Sequence, residues 1–511
     1  MAVRTKSVKA PGLSLRVGSL INDLIMPFAS GLALRREAAM QRRVLLQGMS
    51  GGGHYNGAGR TARGKDFRAN SSDAVESMRA DRARMGWIAQ DMLRNNPRVV
   101  KAVRQIVNNI VGAGIQYSVR MSDPEDTDTK VQIEALIKRH CGSLDMDADG
   151  MLSLYGLQQL GMSTIVGPGE VLLRRRLRRT EDGLALPFQV QVMECDYLNE
   201  NVDGRLPNGN MAVQGIEFNS IGKRVAYHLY AEHPGGRLGT GGATRRVTAD
   251  NIIHAFDVRR PGQKRGMTWL APVITLLHEL QKYQDGQVKR QEIAALFAGV
   301  YKTEETADEL EEAFGEMSPG AIMRIGSDEE LDFTDPPSVD GYEPFMRVTD
   351  RTIAGALGVT YEGFTGDYSN VNYSSGRMGR MDVDPNFLHW QKNLAIAQIC
   401  DPLGAWIKEA VTDVAGIDPA TWSLDWTAPR RPVLDPTKDW PAYEDARRAG
   451  FMSRRQVIRE TGGDPDKVEA EILEENTWAA TNSVTLSSDA ATPKTAPRAV
   501  APEEPKKVSK P

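Results

Sequence analysis

The feature that most constrains the fold is a proline-free stretch that follows Pro272. From Val273 to Val300 the apolar residues recur at helical spacing, and charged or amide residues occupy the opposite positions. This pattern predicts an amphipathic helix about 30 residues long, which spans about 45 Å at about 1.5 Å per residue. Such a helix is much longer than the average in globular proteins, and Gly286 is where it would bend or divide. By itself, the pattern does not distinguish a helix with a special role from an ordinary core helix in a large domain.

Composition narrows the class of protein. The chain has 511 residues, enough for about two to four domains, and a formal net charge of −4. This charge argues against tight clamping of phosphates, but it is compatible with a protein past which nucleic acid slides. The separated cysteines Cys141, Cys195 and Cys400 form no CxxC pair, which favours a reduced compartment. We expect no membrane span, because apolar runs are too short, and no signal peptide, because Asn22 and Pro27 interrupt the N-terminal run.

The first part of the chain predicts an arm followed by helices. Residues 1–75 contain a Gly- and Arg-rich region without a hydrophobic pattern, so we expect them to be partly disordered. From Asp73 the helical period is clear, and Pro97 divides it into two helices. Further helices are predicted near Thr129–Cys141 and Leu154–Val166.

Strand patterns dominate the next part, which makes the body at 76–260 a mixed α/β domain. A hairpin is predicted around Asn219–Lys223. In the first strand, alternation places Val171, Leu173 and Leu177 on one face and Arg174, Arg176 and Arg178 on the other. The arginine face is either a solvated or subunit-interface surface or a contact for DNA phosphates, and we favour the former.

Beyond Tyr301 the sequence predicts helices separated by short strands and loops. In order, these are an acidic helix at Glu304–Met317, two short strands before Pro336, a helix at Tyr342–Leu357, a polar loop at 359–380, a long helix at Phe387–Val414, a helical segment at Asp439–Asn476 and a disordered tail.

No motif supports catalysis or metal binding. Asp145–Gly150 imitates the start of an EF-hand loop, but Gly156 stands where calcium requires a bidentate Glu. The glycine-rich stretches lack the GK[ST] of a P-loop, and neither HExxH nor GxSxG occurs. His228 and His254 lie in predicted strands, where a structural role is expected. We therefore predict no catalytic residues, no metal site and no cofactor.

A set of collinear segments carries a family resemblance. They are HYNGAGRTARG (His54–Gly64), LRNNPRVVKAVRQIVNNIVGAGI (Leu93–Ile115), GEVLLRR (Gly169–Arg175), QVQVMECDYL (Gln189–Leu198), QGIEFNSIGKRVAYHLYAEHPGG (Gln214–Gly236), NIIHAFDVRRPGQKRGMTWLAPVI (Asn251–Ile274), AALFAGVY (Ala294–Tyr301) and ALGVTYEGFTGDYSNVNYSSGR (Ala356–Arg377). Together they resemble the portal proteins of tailed bacteriophages, in the lambda-like branch.

The resemblance implies an α+β portal fold that assembles as a ring, usually a dodecamer, with a central DNA channel. It implies a wing at 76–260 and, in order, a first stem helix at 261–301, a clip at 302–341, a second stem helix at 342–358, a tunnel loop at 359–380, wing and crown helices at 381–480 and a disordered tail at 481–511. The N-terminal arm at 1–75 precedes the wing.

The resemblance also implies partners and a site. The ring would sit at the capsid vertex of a virion after assembly in the host cytoplasm, away from membranes. Its partners would be double-stranded DNA in transit, the terminase large subunit, a head-tail adaptor and the major capsid and scaffolding proteins. The tunnel-loop residues expected to face DNA are Tyr368, Asn370, Asn372, Tyr373, Arg377 and Arg380. Hydroxyl, amide and aromatic groups suit transient contacts, and the arginines suit phosphates.

Two other functions are compatible with parts of the sequence. One is another phage ring component, such as a neck or baseplate adaptor, although the order of long helix, small unit and helix favours a portal. The other is a hydrolase acting on nucleic acid that would use the acidic loop at Asp145–Asp149 or the serines near Tyr373. The missing catalytic motifs count against this enzyme.

Overall fold

Helices and short strands alternate along the chain, which agrees with the predicted α+β class. The computed structural model describes residues 71–237, 244–296, 300–302, 330–332, 341–430, 435–461 and 463–484. Most of the predicted arm, the acidic helix at Glu304–Met317 and the tail from residue 485 lie outside these ranges. Across the parts that are described, every helix is too short or too polar to cross a membrane.

The α-helices include those predicted most directly from apolar spacing. In chain order they are α1 (Ala74–Arg79), α2 (Arg82–Asn95), α3 (Pro97–Ile110), α4 (Thr127–Cys141), α5 (Leu154–Val166), α6 (Ile274–Leu296), α7 (Tyr342–Leu357), α8 (Tyr361–Thr365), α9 (Tyr373–Trp390), α10 (Asp401–Ala415), α11 (Pro436–Arg448), α12 (Arg454–Glu460) and α13 (Pro465–Thr481). A π-helix at Gln391–Cys400 joins α9 to α10.

The strands form small antiparallel sheets. They are β1 (Gln116–Met121), β2 (Glu170–Leu177), β3 (Phe188–Met193), β4 (Gly204–Arg205), β5 (Met211–Val213), β6 (Ile216–Phe218), β7 (Arg224–Tyr230), β8 (Thr244–Thr248), β9 (Ile252–Phe256), β10 (Val300–Lys302), β11 (Glu330–Asp332) and β12 (Trp422–Thr427). The sheet orders are β3-β2-β9, β4-β5-β6-β7-β8, β1-β12 and β10-β11.

Local signals account for the break between α2 and α3 and for the hairpin between β6 and β7. Asn96 caps α3 by accepting hydrogen bonds from the N–H groups of Arg98 and Val99, and Pro97 occupies the first turn. In the hairpin, the side chain of Asn219 accepts hydrogen bonds from the N–H groups of Ile221 and Lys223. Both predictions are confirmed.

Strand β2 lies between two hydrophobic cores. Val171 and Leu173 join the main core, while Leu172 on the opposite face joins a second cluster with β3, β6 and β7. Leu177, which alternation places on the same face as Val171 and Leu173, is not covered by the core, since its exposed fraction is 66%. The reason is that β9 pairs with β2 only as far as Arg174, so the end of β2 lacks this neighbour.

The predicted long helix is present as α6, which begins shortly after Pro272 and runs through Gly286 as one element of 23 residues. Its predicted end is wrong, because Val300 is the first residue of β10. Leu277 and Leu280 at its start are buried in the main core. Further along, α6 packs against α7, and the ring of Tyr283 stacks on that of Tyr342 with centroids 5.7 Å apart. Thus α6 and α7 lead into and out of the region at 297–340.

The helix predicted at Phe387–Val414 is longer than expected. α9 begins at Tyr373 and continues through the π-helix into α10, so helical structure extends without interruption to Ala415. Pro385 lies inside α9. The main core reaches this helical run at Phe387 and Ile399 and also includes residues of α3 and α5.

Strands β1 and β12 come from distant parts of the chain. They pair antiparallel from Gln116 opposite Thr427 to Met121 opposite Trp422. An ion pair between Arg120 and Asp425 joins them at the surface. This pairing was not predicted, because no local pattern specifies a partner so far away in sequence.

Candidate functional site

The predicted tunnel loop begins on a well-packed base. Helix α7 ends at Gly358, whose φ of 70° is the left-handed conformation that favours glycine. Val359 and Phe364 are buried, with exposed fractions of 4% and 1%. The hydroxyl of Thr360 caps α8 by accepting a hydrogen bond from the N–H of Gly363.

Helix α8 packs closely against α3. A Cβ at Gly363 would meet the side-chain amide of Gln105, and one at Gly366 would meet the ammonium group of Lys101. Lys101 therefore lies at the C-terminal end of α8, where a cation is favoured by the helix carbonyl groups. The polar chain that follows starts from this fixed position.

The exposed part of the loop is Gly366–Asn372, which we call segment 366–372. Asp367 organises its start, since its carboxylate accepts hydrogen bonds from the N–H of Ser369 at 3.0 Å and from the Tyr361 hydroxyl at 3.3 Å. The hydrogen bonds from Ser369 lower the pKa of Asp367. Tyr368 has an exposed fraction of 63%, and Asn370 is also exposed. The segment thus presents an aromatic ring and an amide to solvent.

The predicted loop is too long, since residues from Tyr373 onward form α9. Asn372 and Ser375 form a capping box, in which the side chain of each residue accepts a hydrogen bond from the backbone N–H of the other. Tyr373, Arg377 and Arg380 therefore lie on a helix. The Arg377 guanidinium donates to the Tyr373 hydroxyl at 3.2 Å.

Arg380 is less available than predicted. Its side chain has an exposed fraction of only 17%, and its Nε lies 3.6 Å from Asp384 Oδ2 one helical turn away. A paired and mostly buried guanidinium is poorly placed to contact a passing phosphate. Among the predicted loop residues, Tyr368, Asn370 and Asn372 are exposed within segment 366–372. Asn372 also caps α9, so Tyr368 and Asn370 are the two free of a role in a helix.

The arginine face on β2 forms, but glutamines on β3 engage part of it. Arg176 donates to Gln191, and Arg178, just after β2, donates to Gln189. Burial, together with the charges of Arg176 and Arg245, lowers the pKa of Arg174. These arginines do not line the groove that Tyr368 shares with α3, so the structure keeps the two predicted sites apart.

A buried ionic cluster was missed by sequence reasoning. Glu170 accepts hydrogen bonds from Arg82, Arg265 and His254 at 2.7 to 2.9 Å, and from the N–H of Gly266 at 2.6 Å. We call these five residues the Glu170 cluster. Its signal was a glutamate at the start of β2, directly before the apolar residues Val171, Leu172 and Leu173. A carboxylate buried in such a place requires a partner.

Neighbouring charges and burial determine which residues of the Glu170 cluster are ionised. Burial alone raises the pKa of Glu170, but the charges of Arg265 and Arg82 and the hydrogen bond from His254 outweigh it and hold the pKa well below its usual range. Burial lowers the pKa of His254 to about 4. The ionised carboxylate can only accept, so the neutral imidazole carries its proton on Nε2.

The same region brings together Glu170, Cys195 and His254, three residue types that can ligate metals. Their surroundings do not fit a cation, because Arg82 and Arg265 already bind the carboxylate. Burial also raises the pKa of the Cys195 thiol well above its usual range, which opposes the thiolate that a metal requires.

The acidic loop that imitates an EF-hand has a structural use for its central carboxylate. Asp147 is buried and accepts hydrogen bonds from the N–H groups of Asp149, Met151 and Leu152. These bonds fix the turn before α5. A carboxylate occupied in this way is not arranged for calcium.

Comparison with known proteins gives consistent matches. Residues 60–391 match the sequence model of the family described as phage portal protein, lambda family. The chain is 26% identical over 433 residues to the probable portal protein of Halomonas phage phiHAP-1, across 80% of this chain and 83% of the relative. It is 22% identical over 498 residues to portal protein B of Escherichia phage lambda, across 83% and 89%. A chain from the neck of an empty GTA particle aligns at 17% identity with a TM-score of 0.45, over 76% of this chain and 94% of that chain.

The matched region runs from the arm through the α/β body, α6, α7, segment 366–372 and α9 to the first residue of the π-helix. The structural class is that of the phage portal proteins. Because the match spans more than half of the 511 residues, the chain belongs to the lambda family of phage portal proteins. The resemblance drawn from the sequence segments is confirmed.

Proposed function

We propose that the chain forms a ring of twelve copies at one capsid vertex and that double-stranded DNA passes through its central channel during packaging and ejection. The observation that carries this proposal is the family match across residues 60–391. A face on one copy that binds a different face on the next generates a closed ring when the rotation closes. The protein acts as a conduit, without a catalytic activity of its own.

The helices suggest how the parts of the ring are used. In this proposal α6 and α7 are the stem helices, and residues 302–341 between them form the clip. The clip docks the terminase large subunit during packaging and a head-tail adaptor afterwards. Tyr283 supports the stem assignment, since it contacts both Tyr342 and Phe345, with ring centroids 5.7 and 4.9 Å apart.

The remaining parts contact the head. The α/β body is the wing, and the helices after residue 381 are wing and crown elements facing the capsid interior. Major capsid and scaffolding proteins are the expected partners there. The ring assembles in the host cytoplasm and becomes part of the virion.

In this proposal segment 366–372 faces the DNA. It follows the second stem helix, and its exposed groups are Tyr368, Ser369 and Asn370 rather than a run of cations. Each neutralised phosphate adds salt-dependent affinity, which would oppose movement of the DNA. A mostly polar tip therefore suits a wall along which DNA slides.

Single-particle imaging of the purified chain tests the proposal. We expect end-on views with twelvefold rotational symmetry and an open channel, and a mass measured by native mass spectrometry that corresponds to twelve copies. A monomer or dimer at every concentration tested would contradict the proposed ring.

A further inference from the structure

A groove of about 690 Å³ lies between α3 and the start of segment 366–372. One side is formed by the end of α2 and by α3, including Arg94, Lys101 and Arg104. Gly363 and Tyr368 line the other side. We call this the Lys101 groove.

The charges in the Lys101 groove have one sign. Asparagine, glutamine and apolar residues complete its lining, and no described carboxylate contributes to it. The nearest ion pair of Arg94 is an exposed contact with Asp91 at 3.9 Å, which contributes little to stability. Lys101 and Arg104 have no carboxylate partner within the described ranges. The acidic group of the segment, Asp367, is instead engaged by Ser369 and Tyr361.

The groove cations are arranged along one helix face. Pro97, Lys101, Arg104 and Asn108 are spaced by three and four residues, so they lie side by side on α3. Lys101 and Arg104 are about 4.5 Å apart along the helix axis. Two flexible cationic side chains this close together can reach the same phosphate or neighbouring phosphates of one strand.

We propose that the Lys101 groove binds backbone phosphates of the duplex in the channel. This inference rests on the proposed conduit function and extends it from segment 366–372 to α3. In this proposal Lys101 and Arg104 contact phosphate oxygens, and side-chain amides of α3 such as that of Asn108 donate further hydrogen bonds. The ring of Tyr368 covers the edge of the groove. Such contacts are independent of base sequence.

The small number of cations agrees with a sliding ligand. Each chain contributes only a few phosphate contacts, and Arg94 and Arg104 are exposed to solvent, where salt screens them. Each such contact is weak and exchanges quickly, and the equivalent grooves of the other copies in the proposed ring can take over phosphates as the duplex advances. A groove with many buried arginines would instead hold one register of the duplex.

The test uses assembled rings of the full chain and a fluorescent linear duplex. Rings carrying Lys101→Gln with Arg104→Gln are compared with wild-type rings at a series of salt concentrations. The slope of log affinity against log salt should fall by about 0.9 for each phosphate that the variant no longer neutralises. The matched control is Lys138→Gln with Arg139→Gln, which removes the same charge from exposed positions on α4 outside the groove. Its slope should fall less.

Because Lys101 also contacts Gly366, its substitution could disturb the start of segment 366–372 and change DNA binding indirectly. A second variant avoids this ambiguity. Arg104 is exposed and has no such contact, so Arg104→Gln alone should lower the slope while the ring remains intact. If the rings form normally but the groove variants and the control show equal slopes, the proposal that the Lys101 groove binds phosphates is wrong. A wild-type chain that forms no ring would overturn the proposed function and this inference with it.

Discussion

At the residue scale, Glu170 is a buried charge whose partners come from several parts of the chain. Its carboxylate is buried and binds two guanidinium groups, one imidazole and one backbone N–H. Removing a carboxylate from water costs several kcal/mol, and only full pairing offsets this cost. Through these contacts Glu170 joins α2, β2, β9 and the chain before α6.

We predict that Glu170→Gln lowers the free energy of unfolding by about 3 kcal/mol, because it leaves the buried guanidinium groups of Arg82 and Arg265 with the partly exposed carboxylate of Glu200 as their remaining acidic partner. Chemical denaturation followed by circular dichroism measures the change. The control is Glu76→Gln, which removes an exposed ion pair with Arg79 and should cost less than about 1 kcal/mol. Equal effects of the two substitutions would contradict the assigned role of Glu170.

At the element scale, the position of α6 depends on the connector that precedes it. Gly266 in this connector lies directly against the start of β2, where a Cβ would meet the backbone of Gly169 and the Cβ of Glu170. Trp269, which is 2% exposed, then packs on Trp390 with ring centroids 4.6 Å apart. The start of α6 is therefore fixed by backbone contact on one side and an aromatic contact on the other.

Gly266→Ala should destabilise the protein by about 3 kcal/mol, since backbone and a buried carboxylate must move to admit one methyl group. Gly286→Ala is the matched control within the same region. Its Cβ would meet no atom within 4 Å, and alanine favours a helix interior, so it should stabilise the protein by about 0.5 to 1 kcal/mol. Thermal denaturation should show a lower melting temperature for Gly266→Ala and a higher one for Gly286→Ala. A higher melting temperature for Gly266→Ala would contradict the close contact between Gly266 and the start of β2.

Elements specified by neighbouring residues were predictable. Helix α5 and helix α7 begin and end where apolar spacing and a final glycine place them, and the β6–β7 hairpin follows from its turn residues. The start of α9 was missed although its signal is local: the Asn372–Ser375 capping box outweighs the polar, glycine-containing composition that suggested a loop.

The candidate site was less predictable because it depends on contacts across the chain. Tyr368 and Asn370 were identified from composition and family position, and they lie on the exposed tip. Lys101 was not identified, because nothing near α3 in sequence shows that α8 packs on it. The Glu170 cluster was missed for the same reason, since Arg265 lies 95 positions from its partner.

At the scale of the whole molecule, the main core includes residues from α2 to β12, so burial links distant parts of the described chain. Two buried histidines pack on the two clusters: His140 contacts Phe188 of the main core, with ring centroids 5.1 Å apart, and His254 contacts Tyr227 of the second cluster, with ring centroids 5.8 Å apart. Burial lowers the pKa of His140 and that of His254 to about 4, compared with an ordinary value of about 6.5. Both imidazoles are therefore neutral in the folded protein at neutral pH.

We predict that stability falls as the pH is lowered from about 7 to about 4. In this range the unfolded chain binds protons at His140 and His254 that the folded chain does not, which favours unfolding. The depressed pKa of Glu170 acts in the same direction, since its stabilising charge is lost in acid. Melting temperature measured against pH tests this expectation.

The variant His140→Leu should show a shallower dependence of melting temperature on pH, because it removes one group that takes up a proton on unfolding. His278→Gln, at an exposed position on α6, is the control, because it removes a histidine that is not buried. A wild-type melting temperature that is constant across this range would contradict the neutral, buried state of both histidines.

The pairing of β1 with β12 has a consequence for synthesis of the protein on the ribosome. Ser122 and Ala420, which flank the paired strands, are 298 positions apart. At about 5 to 20 residues per second, the ribosome needs about 15 to 60 s to supply the second strand after the first. During that time β1 is an unpaired edge on a nascent chain, open to association with other strands. Protection of this edge during translation is therefore a requirement that the fold imposes on the infected cell.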